Sequence, residues 1–267
     1  MEIMNAHVVV TGASRGIGAA IAREMHKRGA TVTVVARSAD ALAALADEID
    51  GHALAADLTD RGELEGLIAR AEAHAPVDVL VNNAGIDEAG LFWEMDADGL
   101  RRLIDLNVTA AMELTRQALP GMVERGRGHI VNLSSMASVG NFPGLTAYAA
   151  TKAALSHFSA GLRADLRGLP VGVTNVQVGF VSPTDMTDKI LEYGPTFRAQ
   201  RRFDRLALLP RTDRDRLASA IMSAVEADRR HVLRPRRAWG LAKLTELPRR
   251  LVENVLVGVS ARDQDPT

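Results

Sequence analysis

From residue 7 to residue 233 the chain alternates short β-branched runs with longer stretches of helical periodicity. The runs at 7–10, 31–36, 53–56, 77–81, 129–133, 171–178 and 231–233 read as strands. Residues 16–28, 39–49, 63–74, 100–124 and 146–167 read as helices; in the first of them Ile17, Ala20, Ile21 and Met25 fall on one face. Strands separated by helices require right-handed crossovers, and these place helices on both faces of a mostly parallel sheet. The expected fold class is therefore α/β, a doubly wound seven-stranded sheet. Neither a linker rich in Pro, Gly or Ser nor an internal repeat divides it, so residues 1–233 are read as one domain. Residues 183–212 break the rhythm and read as irregular.

Composition narrows the function. The chain has 267 residues, 47% of them hydrophobic, and a net charge of -1, so a large core is available and no nucleic-acid partner is called for. Cysteine is absent, which removes disulfides, thiol catalysis and cysteine metal sites and fits a reducing cytoplasm. The residues before the first strand carry no secretory pattern, and no uninterrupted apolar stretch reaches the ~18 residues that a spanning helix needs.

The first strand runs into Thr11-Gly12-Ala13-Ser14-Arg15-Gly16-Ile17-Gly18 and then a helix. A tight strand-to-helix turn needs small residues, and so does a backbone that must approach a pyrophosphate. The free N–H groups at the helix start supply the matching positive end. The second strand ends on Ala36-Arg37-Ser38, where a carboxylate would grip an unphosphorylated ribose. Arg37, with Arg15 from the turn, suits a 2′-phosphate instead, and the expected cofactor is NADP(H).

Ser135 follows the fifth strand, and Tyr148 and Lys152 lie four apart on one helix face. A lysine cation beside a tyrosine favours the phenolate and lowers the phenol's pKa. Such a phenol exchanges a proton with an alcohol or a developing alkoxide, and a serine hydroxyl can hold the same oxygen. The chain has only two tyrosines, which makes a chance Tyr-x-x-x-Lys here a poor explanation.

Together these segments resemble the short-chain dehydrogenase/reductase family, over about residues 5–233. Gly12, Ser14, Arg15, Gly16, Ile17 and Gly18 match its cofactor turn; Asn82-Asn83-Ala84-Gly85 matches the motif that borders the cofactor; Asp57 and Leu58 stand where the family contacts adenine. Asn107, Ser135, Tyr148 and Lys152 match its catalytic tetrad, with the usual Ser-to-Tyr separation. The resemblance implies a Rossmann-type sheet. It also implies that Tyr148 is the general acid/base, that Lys152 lowers its pKa and binds the nicotinamide ribose, and that Ser135 orients the substrate oxygen. The Asn107 backbone would hold a water linking Lys152 to solvent. Association into a homodimer or homotetramer is a further implication. One segment departs from the pattern: Val178 replaces the family's proline, and Pro183 displaces the threonine by one place. On this reading Val181 still offers its N–H to the carboxamide, and Thr184 is the displaced cofactor contact.

The reading that results is an NADP(H)-dependent oxidoreductase interconverting an alcohol and a ketone or aldehyde, without a metal. Met136, Val139, Phe142, Phe180 and apolar residues of 183–212 either wall an apolar or lipid-like substrate site or close the core. A 3-oxoacyl thioester reductase and a non-catalytic NADP-binding protein are the alternatives. Arg198, Arg201, Arg202 and Arg205 either grip an anionic carrier or form a solvated face. Residues 234–267 read as an amphipathic basic helical tail. Trp239, Leu241, Leu244, Leu247, Leu251 and Val255 lie among its cations, and it would pack on the domain, on a partner subunit or on a membrane surface.

Overall fold

The computed structural model describes residues 1–140, 142–206 and 209–235. Its centre is a seven-stranded sheet in the order β3-β2-β1-β4-β5-β6-β9, with every neighbouring pair parallel. The strands are β1 (His7–Thr11), β2 (Thr31–Ala36), β3 (His52–Ala55), β4 (Val79–Asn82), β5 (Gly128–Ser135), β6 (Val171–Val178) and β9 (His231–Arg234). The helices between them are α1 (Gly16–Lys27), α2 (Ala39–Glu48), α3 (Arg61–Leu64), α4 (Leu67–Ala71), α5 (Ala97–Ile104), α6 (Ala110–Arg125) and α7 (Thr146–Asp165). A second, two-stranded sheet pairs β7 (Val181–Ser182) with β8 (Thr212–Asp213); α8 (Asp185–Glu192) and α9 (Gly194–Arg205) lie between them, and α10 (Arg214–Glu226) leads into β9.

The period of two along each strand sorts side chains to two cores. Val8, Val10, Val32, Val34, Val79 and Val81 face one side, packed with Ile21 and Met25 of α1, Leu42 of α2, and Leu217 and Ile221 of α10. Val9, Val35, Leu80 and Ile130 face the other, with Leu67 of α4, Leu114 of α6 and Leu162 of α7. Each such buried side chain contributes about 1.5–3 kcal/mol. Because both faces are covered, the central strands read as continuous apolar runs rather than alternating ones.

Several elements differ from the sequence expectation. The stretch 63–74 forms two helices, because Gly66 at φ 65° breaks the path between α3 and α4. Asp60 starts the first of them, its carboxylate accepting from the Gly62 and Glu63 amides. The helix expected at 100–124 begins earlier, at Ala97, where Asp96 caps it by accepting from the Gly99 amide. A π-helical turn over Asp105–Thr109 joins α5 to α6. The irregular stretch 183–212 holds α8 and α9, a correction explained by Thr184 capping α8 and by Pro195 in the first turn of α9. Helix α10 was not anticipated. Asp213 caps it, and its apolar face, Leu217, Ala218, Ile221, Met222 and Val225, packs against α1. The basic tail expected over 234–267 lies outside the described residues beyond Pro235.

The strand order places β1 and β4 side by side while the chain runs outward from β1 to β3 and returns to β4. That reversal opens a crevice at the carboxyl ends of these two strands, where open α/β sheets bind ligands. The glycine turn after β1 and the Asn82–Gly85 segment after β4 both emerge there.

Candidate active site

The two connections at this crevice are tied together by one hydroxyl. Thr11 Oγ1 accepts from the amides of Asn83 and Ala84 at 3.1 and 3.0 Å and donates to the Val81 carbonyl at 3.2 Å. The Asn83 side chain donates back to the carbonyls of Thr11 and Gly12. Close approach explains the glycines. Gly12 has φ 64°, and a Cβ there would sit 2.8 Å from Ala84 Cα; a Cβ on Gly18 would land on the Gly12 carbonyl oxygen. Gly16, at φ 60°, differs: its missing Cβ would meet only Thr184 Cγ2, at 3.9 Å, so its backbone borders open space across from α8. No side chain caps α1, and Arg15 at its start is extended, at φ −162°. An N-terminus without a side-chain cap is one that an anionic phosphate fits.

A row of asparagines in register runs under the site. Asn82 donates to Asn132 Oδ1 at 2.8 Å and to Thr115 Oγ1 at 3.1 Å, Asn132 donates to Ser159, and Asn175 donates to Ser156. Ser134 Oγ donates to the Lys152 carbonyl at 2.8 Å and shares a hydrogen bond with Ser156. These buried bonds hold α7 against the sheet and so set the height of Tyr148 and Lys152 above the end of β5.

The cleft measures about 310 Å³. Gly12, Arg15, Gly16, Ile17, Asn83, Ala84 and Gly85 line it together with Ser135, Tyr148, Lys152, Val181 and Thr184. The structure thus brings most of the expected site residues together. Four lie elsewhere. Ser14 and Gly18 belong to the turn but not to the cleft wall, and Arg37 and Asp57 stand at the ends of β2 and β3 with their charges 3.9 Å apart. Leu58 is buried in the core with Leu64 of α3 and Leu67 of α4. Arg15 pairs with Asp185 of α8 at 2.7 Å, both side chains largely exposed.

Lys152 Nζ donates to the Leu133 carbonyl at 2.9 Å and lies 5.7 Å from the Tyr148 ring centre. Asn107 sits in the π-helical turn, fully buried. Its Oδ1 accepts from the Ile86 amide, and its Nδ2 donates to the Ile86 carbonyl and to Thr151 Oγ1. Its side chain therefore fastens the loop after β4 onto α7. Ser135 Oγ accepts from the Ala137 amide at 3.1 Å and donates to the Val178 carbonyl at 3.3 Å, near the Tyr148 phenol.

Two expectations are corrected here. The phenol was expected to sit low; burial instead pushes Tyr148 up to about 12, eased by the Ser135 hydrogen bond and reinforced by the nearby Asp87 charge. Lys152 is buried as well, and burial brings it down to about 8. The second correction concerns the loop after β6. The Val181 amide, expected to be free for a carboxamide, donates to Thr187 Oγ1 at 3.3 Å, and Thr184 Oγ1 donates to the Val181 carbonyl at 2.8 Å. Of the expected wall, Met136, Phe142 and Phe180 line the cleft, joined by Met186, Ile190 and Leu209. Val139 packs behind them, in a cluster with Met136 and Leu209.

Sequence reading missed three residues of this site. Thr11 joins the two loops, and Asp87 and Lys189 line the cleft. The position of Asp87, two residues beyond the Asn82–Gly85 motif, was the available signal.

Known proteins resemble this chain in sequence and in fold. The family model described as short chain dehydrogenase matches residues 6–193. The chain belongs to the short-chain dehydrogenase family. It is 40% identical over 186 residues to Ketoacyl reductase HetN of Nostoc sp., an alignment covering 67% of this chain and 65% of that protein, just under two thirds of its length. It is also 40% identical over 185 residues to NADP-dependent 3-hydroxy acid dehydrogenase YdfG of Salmonella typhi, covering 67% and 74%. Among solved structures, a short-chain dehydrogenase from Sphingobium yanoikuyae in complex with NADPH superposes with a TM-score of 0.81 at 28% identity, covering 97% of this chain and 100% of that one. This member of the family is an oxidoreductase of the CH–OH/C=O type.

Proposed function

We propose that this chain interconverts an alcohol and a ketone or aldehyde with NADP(H), on a largely apolar substrate, with Tyr148 as the general acid/base. The observation that carries the reading is the convergence of Ser135, Tyr148 and Lys152 on the cleft that the glycine turn also lines. When bound, NADP(H) supplies or accepts the hydride. Gly12, Gly16, Ile17 and the open N-terminus of α1 would hold its pyrophosphate. Arg37 would meet the 2′-phosphate, while Asn83, Ala84, Gly85, Thr184 and Lys152 would border the rest. NADP-bound relatives support this choice of nucleotide.

The chemistry follows from where the protons sit. With its pKa near 12, the Tyr148 phenol stays protonated at neutral pH, so in the reductive direction it starts as the acid. Its proton passes to the substrate oxygen as negative charge develops there. Ser135 Oγ steadies that oxygen with a second hydrogen bond. Lys152 stands next in line to return a proton to the phenolate, and the loop that Asn107 fastens keeps Gly85 against Lys152. In the oxidative direction the same groups work in reverse.

The test is Tyr148→Phe, which keeps the ring and removes the proton. Turnover of an aryl alkyl ketone with NADPH should fall by about 10²–10⁴-fold, with NADPH affinity retained. Undiminished turnover would sink the assignment of Tyr148, and NADPH binding without any turnover in the parent protein would favour the non-catalytic alternative. A 3-oxoacyl thioester is the second reading of the substrate. It is supported by the relationship to a ketoacyl reductase and by the exposed Arg198, Arg201, Arg202 and Arg205 on α9, beside the cleft. Self-association would cover exposed Phe92, Trp93, Ile104 and Met112. Among the described residues no helix is long and apolar enough to cross a membrane.

A further inference from the structure

Asp87 leaves the loop after β4 and turns into the cleft, where it is 5% exposed. Its Oδ2 has no hydrogen-bond partner among the described residues. Ala137, Phe142, Leu145, Phe180 and Ile190 give the same cleft a largely apolar wall. Asp87 lines the same cleft as Ser135 and Tyr148, and its charge acts on the Tyr148 phenol. Lys189 of α8, an exposed residue, lines the same cleft and favours the charged carboxylate against the effect of burial. A buried acceptor left unpaired costs about 1–3 kcal/mol, and more when charged, so a ligand that supplies a donor is selected over one that does not.

We infer that Asp87 is a specificity-determining residue, whose buried carboxylate oxygen accepts a hydrogen bond from a hydroxyl or ammonium group adjacent to the substrate's reacting carbon. This rests on the carbonyl-reductase reading above and deepens it. The substrate is then an apolar ketone carrying one donor beside the carbonyl, rather than a plain alkyl ketone. Free carboxylates at the adjacent carbon are disfavoured, because they would face Asp87 with like charge. A 3-oxoacyl thioester brings no donor to this position.

The experiment uses three matched ketones with NADPH: 1-phenyl-1-propanone and its 2-hydroxy and 2-amino counterparts. The reading is the ratio of kcat/KM for each substituted ketone to that for the plain one, in wild type, Asp87→Leu and Asp87→Asn. Comparing ratios between proteins cancels the ketones' intrinsic reactivities. Asp87→Leu should lower the ratio by about 10- to 100-fold for at least one substituted ketone, as expected for losing a hydrogen bond to a charged group. Asp87→Asn keeps an acceptor and loses the charge, so it should preserve the ratio if the donor is a hydroxyl and lose it if the donor is an ammonium. Binding of the three corresponding alcohols to the NADP-loaded protein reads the same ratios without turnover. Ratios unchanged by Asp87→Leu, in a variant that still binds NADPH, overturn the inference. Ratios that change in binding while no ketone turns over support it and refute the catalytic reading alone.

Discussion

Lys152 is the most exacting test of this site, because its burial has a thermodynamic consequence apart from catalysis. Burial brings the ammonium from its ordinary 10.5 to about 8. That displacement corresponds to about 3 kcal/mol of native-state cost while the group is charged. The unfolded chain keeps its proton up to about 10.5, whereas the native protein releases it near 8. Below pH 8 both states carry the charge and the cost is present in full. Between pH 8 and 10.5 the unfolded state binds more protons, so stability gains as pH rises; above 10.5 the cost is gone. Lys152→Met removes the charge and also the hydrogen bond to Leu133 O, but the latter loss does not depend on pH. The difference in urea-unfolding free energy between wild type and Lys152→Met should therefore shift toward wild type by about 2 kcal/mol between pH 8 and 9.5, with all shared titrations cancelling. Circular dichroism at each pH gives both curves. A difference that stays flat across this range would show that Lys152 keeps an ordinary pKa and that the burial argument is wrong. The variant should also lose ketone reduction at every pH.

Two further substitutions probe the nucleotide end. Arg37→Ala should weaken NADPH about 10- to 100-fold in a fluorescence titration and leave NADH little changed, as expected for losing one charged hydrogen bond; equal weakening of both would remove Arg37 from the phosphate site. Gly18→Ala places a methyl on the Gly12 carbonyl oxygen, 2.6 Å from Asn83 Nδ2, so it should cost about 1–3 kcal/mol and lower NADPH affinity as the turn shifts. A melting temperature equal to wild type would show that the turn yields at no cost.

The sequence by itself determined the sheet, because each central strand is apolar on both faces and each crossover helix carries its own stripe. Val8, Val9 and Val10 serve opposite cores, and only a strand covered on both sides has use for such a run. Gly12, Gly16, Ser135, Tyr148 and Lys152 were legible for a similar reason, since local turns and helical spacing place each of them before any long-range packing. The division into α3 and α4 turns on one left-handed glycine, and the two helices within 183–212 turn on caps at Thr184 and Pro195; these are local features that hydrophobic periodicity does not register. Tertiary structure alone decided the rest. The asparagine row acquires meaning only when β4, β5 and β6 come into register. Asp87 and Lys189 are 102 positions apart in the chain and share a cleft only because α8 folds over the loop after β4. The pKa values of Tyr148 and Lys152 are likewise set by how much of the fold covers them. Spacing brings the two side chains to one face, but the low-dielectric surroundings that raise the phenol and lower the ammonium are assembled from residues distant in the chain.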